Sequence, residues 1–256
     1  MRQRTAMKQR MHRKAHVVAA LWALLLGSGC GTQQKIGMEG LGRPALIWHS
    51  TDDAAAESRR IEVERDTEQQ LLTELHESEH KGEDNLALAA TLYSLAILRR
   101  QQGDLPQATQ LYRRALAIRE RVEGPNHPDV ATTLNNLAAA EAVQEHYDAA
   151  QPLLERALTI RRAALGSEAV QTAESMNNLA LLYAAQGNAA AAEPLYQEAL
   201  AAMEKSGTSE PDGLRRVLSN YAALLHDTGR NAEADALETR AQALRAIEAP
   251  PLSPPQ

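Results

Sequence analysis

Asn135-Asn136-Leu137-Ala138 returns 42 residues later as Asn177-Asn178-Leu179-Ala180, and that interval decides how the chain folds. At the same spacing Ala96, Ala138, Ala180 and Ala222 form one column, Ala108, Ala150, Ala192 and Ala234 a second, and Ala115, Ala157, Ala199 and Ala241 a third. A fixed period of roughly 20 to 50 residues marks a stack of repeated units rather than one compact core. A single Ala column would mean little in an Ala-rich chain. Here Leu95-Leu137-Leu179-Tyr221 and Leu92-Leu134-Met176-Leu218 keep the same register, and Gly103, Gly187 and Gly229 form a turn column that Glu145 alone interrupts.

Spacing within one unit gives its shape. Leu92, Leu95, Ala96 and Arg99 fall on one helical stripe, and Ala108, Leu111, Tyr112 and Ala115 on another. Two helices therefore meet across Gly103, with Ala at the contacts so that the backbones approach closely. Each pair keeps an apolar face that only the next pair can cover. Helix pairs are expected over 85–123, 128–164, 168–206 and 211–248. Pro128 suits a first helical turn, where its missing N–H costs nothing, and Pro152 and Pro194 are expected early in their helices for the same reason.

This order of a large apolar residue, Leu-Ala, Gly, Ala, an aromatic or Leu, and Ala resembles the tetratricopeptide repeat. The 42-residue period, with Leu134-Asn135-Asn136-Leu137-Ala138 and the run from Ala192 to Leu200, looks like its kinesin-light-chain variety. The resemblance covers residues 82–248. It implies an all-α fold, a right-handed superhelical solenoid of about four helix pairs. The charged stretch 54–81, with Ile61, Val63, Leu71, Leu72 and Leu75 as its sizeable apolar points, is expected to form an N-terminal capping helix.

The chain has 256 residues, no Phe, one Cys and a formal net charge of −6. Its first 29 residues carry Arg2, Arg4, Lys8, Arg10, Arg13 and Lys14 and no acid, so without them 21 basic groups face 33 acidic ones. That acidity argues against nucleic acid, whose phosphates need a basic stripe. The apolar run from Val17 to Leu26 is too short to span a bilayer and has the length of a signal-peptide core. Leu26-Gly27-Ser28-Gly29-Cys30 follows and resembles a bacterial lipoprotein signal, with Gly27 where Leu is usual. Residues 1–29 are read as that signal, Cys30 as the lipidation site, 30–53 as a tether, and the Pro-rich 249–256 as a disordered tail. Gly31 after the Cys resembles signals sorted to the outer membrane, which puts the domain in the periplasm.

His76-Glu77-Ser78-Glu79-His80 satisfies the His-Glu-x-x-His pattern of zinc hydrolases. Lys81, Gly82 and Glu83 follow where such a site needs an apolar setting, and no third His stands at a suitable spacing. The run reads as a solvated helix end, so neither metal nor cofactor is expected.

In the resembling family the first helix of each pair lines the concave groove, with the residue before Leu-Ala facing it. Here that residue is Ser94, Asn136, Asn178 and Asn220, flanked by Tyr93, Asn135, Asn177 and Ser219, with Ile97 and Leu181 as apolar points. A carboxamide offers two donors and an acceptor, enough to satisfy an extended peptide backbone without reading side chains. The competing role for these amides is to bond neighbouring helices and fix the repeat geometry. The two-carboxylate clamp of some relatives would need Lys, Asn, Asn, Lys and Arg where this chain has Tyr93, Ile97, Asn136, Glu174 and Asn178. Arg100, Arg216 and His226 are expected to leave the groove ends positive. The expected function is that of a non-enzymatic scaffold, lipid-anchored in the bacterial envelope, that binds an extended segment of a protein partner. Its rivals are a zinc hydrolase and a soluble intracellular adaptor with an unprocessed N-terminus.

Overall fold

In the computed structural model, which describes residues 65–78, 85–207 and 211–248, the five apolar columns of the sequence are all buried. The helices follow as α1 (65–78), α2 (Leu86–Gln101), α3 (Leu105–Val122), α4 (Pro128–Val143), α5 (Tyr147–Leu165), α6 (Val170–Ala185), α7 (Ala189–Lys205), α8 (Pro211–Asp227) and α9 (Asn231–Glu248). Four helix pairs therefore stand where the periodicity placed them. The chain from 1 to 64, the segments 79–84 and 208–210, and the tail after 248 lie outside the described residues, and with them the signal, Cys30, the tether, Glu79 and His80.

Burial is quasi-one-dimensional, as a stack requires. Each helix packs on its neighbours in sequence, and α4 also touches α6 as α6 touches α8. The Ala columns permit this. Ala96, Ala138, Ala180 and Ala222 are 0% exposed, leaving no room for a larger side chain between the helices. Tyr112 and Tyr196 are the two largest side chains sealed in the core, 84 residues apart and so in one column.

Of the stretch 54–81 expected to cap the stack, the described part is the helix α1 over 65–78. Leu71 and Leu75 pack against the core of the first pair, and Glu68 reaches Arg99 at 2.5 Å and accepts from Gln102 Nε2 at 3.1 Å. These two bonds, Gln102 foremost, hold the Glu68 carboxyl below its ordinary range.

Local signals start each second helix. Asp104 and Asn188, at equivalent positions, accept the N–H groups of Gln107 and Ala191. Before them the chain passes through the left-handed region at Gly103 (φ 83°), Glu145 (φ 61°), Gly187 (φ 76°) and Gly229 (φ 82°). Glu145 thus keeps the turn geometry with the wrong residue type. A non-Gly residue there costs about 1 kcal/mol, so Glu145→Gly is expected to raise the melting temperature by about 2–4 °C. An unchanged or lower value would refute the strain.

The two mid-repeat prolines differ from expectation. Pro152 and Pro194 stand sixth in α5 and α7, past the first turn. Each therefore removes the helical bond to the carbonyl four residues earlier, at Asp148 and Ala190.

Candidate functional site

The first helices of the pairs, α2, α4, α6 and α8, present one face to a common recess of about 190 Å³. Arg100, Thr132, Asn135, Asn136, Ala139, Glu174, Asn178 and Arg216 line it from those helices, and Arg161 enters from α5. The recess is polar and includes part of the expected amide ladder.

The ladder divides on inspection of its bonds. Asn136 is fully engaged: Nδ2 donates to Tyr93 Oη at 2.8 Å and to the Thr132 carbonyl at 3.1 Å, while Oδ1 accepts from Arg100 Nη1 at 3.0 Å. It fixes α2 against α4. Asn135 is buried and donates to Ser175 Oγ at 2.9 Å, which ties α4 to α6. Asn177 is 0% exposed and accepts from Asn220 Nδ2 at 3.0 Å, which ties α6 to α8. Asn178 differs. Its Oδ1 accepts from Asn177 at 3.3 Å, and its Nδ2 makes no hydrogen bond among the described residues. Of the expected column, Asn178 is the half-buried amide with free capacity facing the recess.

The other expected positions scatter. Ser94 and Ser219 are exposed. Ile97 is half-buried against the core of the first pair, and Tyr93 lies edge-on to Tyr112 with ring centroids 5.6 Å apart. Leu181 is a correction: it is 3% exposed and belongs to the core around Met176 and Leu182, because a helix of stacked pairs is covered on more than one side. Asn177 is covered likewise and joins α6 to α8, whereas Asn135, though buried, lines the recess, and its Oδ1 has no hydrogen-bond partner among the described residues. His226 is the third case. Its Nε2 faces Glu238 at 3.3 Å and Asp235 at 3.9 Å on α9, and its Nδ1 meets Asn231 Oδ1 at 3.1 Å. Its pKa is raised, first by the Asn231 bond. Its ring nitrogens are taken up by these α9 groups, and it does not line the recess.

What the sequence reading lacked is Arg161, the buried cation supplied by a second helix. It donates to the Gln171 carbonyl, to Ser175 Oγ at 3.2 Å and to Thr132 Oγ1 at 3.3 Å, and lies 3.5 Å from Glu174. Burial lowers its pKa, with Glu174 opposing. The signal was available in the 42-residue register: Arg119 stands one repeat earlier and donates to the Asp129 carbonyl at 3.0 Å and to Thr133 Oγ1 at 2.8 Å. Its guanidinium also sits 4.9 Å over the Tyr93 ring. The same staple is built twice.

Chemistry of the hydrolytic kind finds little support. His76 and Glu77 are exposed on α1, and His80 lies outside the described residues. Two mixed groups of His and carboxylates occur among the described residues, Glu123-His127-Asp129 and the exposed His226-Asp235-Glu238. In the first, His127 Nδ1 accepts the Asp129 N–H at the start of α4, where the helix dipole opposes a cation. No described helix is long and apolar enough to cross a membrane.

A helix pair repeated in one register, each pair packed on the next, defines a superhelical repeat protein. The tetratricopeptide repeat family matches residues 87–163, 129–205 and 171–246 in overlapping registers, so the chain belongs to that family. No curated protein sequence matches it. Among solved structures it is similar to BtubC (BKLC) from P. vanneervenii, with TM-score 0.66 and 23% identity over 80% of this chain and 83% of that one. It is also similar to nearly identical TPR-like repeats of a putative kinesin light chain from Podosopora anserina, with TM-score 0.61 and 21% identity over 76% and 93%. At these identities the likeness is one of fold.

Proposed function

We propose that this protein is a non-enzymatic scaffold whose concave recess holds an extended segment of a protein partner. The carrying observation is the convergence of the first helices on one recess lined by Asn178, Arg100 and Arg216, with the Asn178 amide free to meet a peptide backbone. Such repeats serve protein–protein interaction, and a peptide laid across successive pairs touches each through the same position. The N-terminal pattern supports anchoring by lipid on Cys30 in the bacterial envelope, facing the periplasm. Several acyl chains would hold it, since one chain alone binds membranes marginally.

Asn136→Ala is a poor test, because Arg100 and Tyr93 would lose their partner with it. A photo-crosslinking residue at Asn178, compared with one at the exposed Ala163 on the second helix α5, separates the faces. Partner adducts are expected at Asn178 alone; adducts at Ala163 alone would overturn the groove. Cys30→Ser should move the protein from the membrane to the soluble fraction, and retention would refute the anchor.

A further inference from the structure

Three guanidinium groups and one carboxylate line the recess: Arg100, Arg161, Arg216 and Glu174. Arg100 is 6% exposed yet pairs with no carboxylate among the described residues. It bonds the neutral Asn136 amide, and its Nε is buried without a partner among the described residues. Arg216 Nε is in the same state. A cation withdrawn from water without a counter-charge is held at a cost, which an entering anion offsets. Glu174 supplies one such charge but divides it, standing 3.3 Å from Arg216 and 3.5 Å from Arg161. Committed pairs elsewhere on the chain are closer, as with Arg156 and Glu120 at 2.5 Å or Arg113 and Glu141 at 2.6 Å.

Resting on the groove reading above, we infer that the recess recognises a carboxylate of an acidic partner segment, and that Glu174 is an internal stand-in which that carboxylate displaces from Arg216. The chain's net charge of −6 gives polyanions no general attraction. Selectivity therefore comes from the recess, within the roughly 8 Å over which charges act at physiological salt. Arg216 suits the task better than Arg161, whose guanidinium already serves Gln171, Ser175 and Thr132. Asn178, beside Glu174 on α6, would meet the backbone of the segment whose side chain reaches Arg216.

Fluorescein-labelled hexaglutamate and hexaglutamine, titrated into the full chain by anisotropy, test this. Hexaglutamate is expected to bind about tenfold tighter, as charge-assisted bonds outweigh neutral ones. Arg216→Gln should weaken it by a similar factor. Glu174→Gln should tighten it several-fold by removing the competitor, whereas a merely structural Glu174 would leave it unchanged or weaker, and either result overturns the inference. Arg216 and Glu174 are only half-buried, so both variants should stay folded by circular dichroism. Carrying the crosslinker at Asn178 distinguishes the two readings. Equal adducts from both peptides would sink the anion site and leave the groove; adducts from neither would sink both.

Discussion

Tyr196→Ala is expected to destabilise the domain by about 3–5 kcal/mol, whereas Tyr196→Phe should stabilise it by about 1 kcal/mol or more. The ring is 0% exposed and stacks on Tyr221 with centroids 5.7 Å apart, so truncation opens a cavity between α7 and α8 that rigid stacked helices cannot fill. The hydroxyl is a liability. It is buried and has no hydrogen-bond partner among the described residues, and the Tyr112 hydroxyl in the same column is in the same state. Phe keeps the ring and discards the unsatisfied group. Thermal unfolding of the three proteins checks both signs, and a Phe variant that melts lower would show that the hydroxyl is satisfied in solution.

The same burial makes an alkaline prediction. Burial raises the pKa of Tyr196, and of Tyr112, above the ordinary phenol value. The folded state therefore keeps protons that the unfolded chain releases above about pH 10. Stability is fully present below that pH and falls as pH rises toward the folded values. Comparing pH 8 with pH 10.5, the wild type should lose more stability than the Tyr112→Phe, Tyr196→Phe double variant. Equal losses would mean that neither phenol stays protonated in the fold.

The legible part of the molecule was its period. Ala138, Leu134 and Leu137 show their role in sequence because packing is a matter of side-chain size at a fixed interval, and every repeat must solve the same problem. The turn column was equally readable, down to the one residue, Glu145, that occupies a left-handed position without being Gly. The candidate site was harder. Asn135 and Asn136 look alike in sequence, yet a rotation of one residue along α4 buries the first against Ser175 and turns the second toward Arg100. Hydrogen-bond capacity is written in a residue type, but whether a neighbouring helix has already used it is a fact of three dimensions. Leu181 misled for a related reason: α6 is flanked by α5, α7 and the first helices of both neighbouring pairs, so the apolar stripe is wider than one helix pair requires.

Arg161→Ala is expected to cost about 3 kcal/mol and to loosen the joint between the second and third pairs. In wild type its guanidinium bridges α5 to α6 through the Gln171 carbonyl and Ser175 Oγ, and to α4 through Thr132 Oγ1. Removing it withdraws a charged donor from three oxygens and leaves the Glu174 carboxylate with Arg216 as its one remaining cation among the described residues. Because contacts run between neighbouring pairs, the damage should appear as lost coupling as well as lost stability. Denaturant unfolding should shift to a lower midpoint with a shallower slope, the mark of halves that no longer unfold together. Arg161→Lys should rescue little, since a compact ammonium cannot reach oxygens on two helices at once. The equivalent change at Arg119 should cost less, because that residue is only half-buried and its loss affects the joint nearer the end of the stack. If Arg119→Ala proved as damaging as Arg161→Ala, burial would not be what makes the inner staple strong.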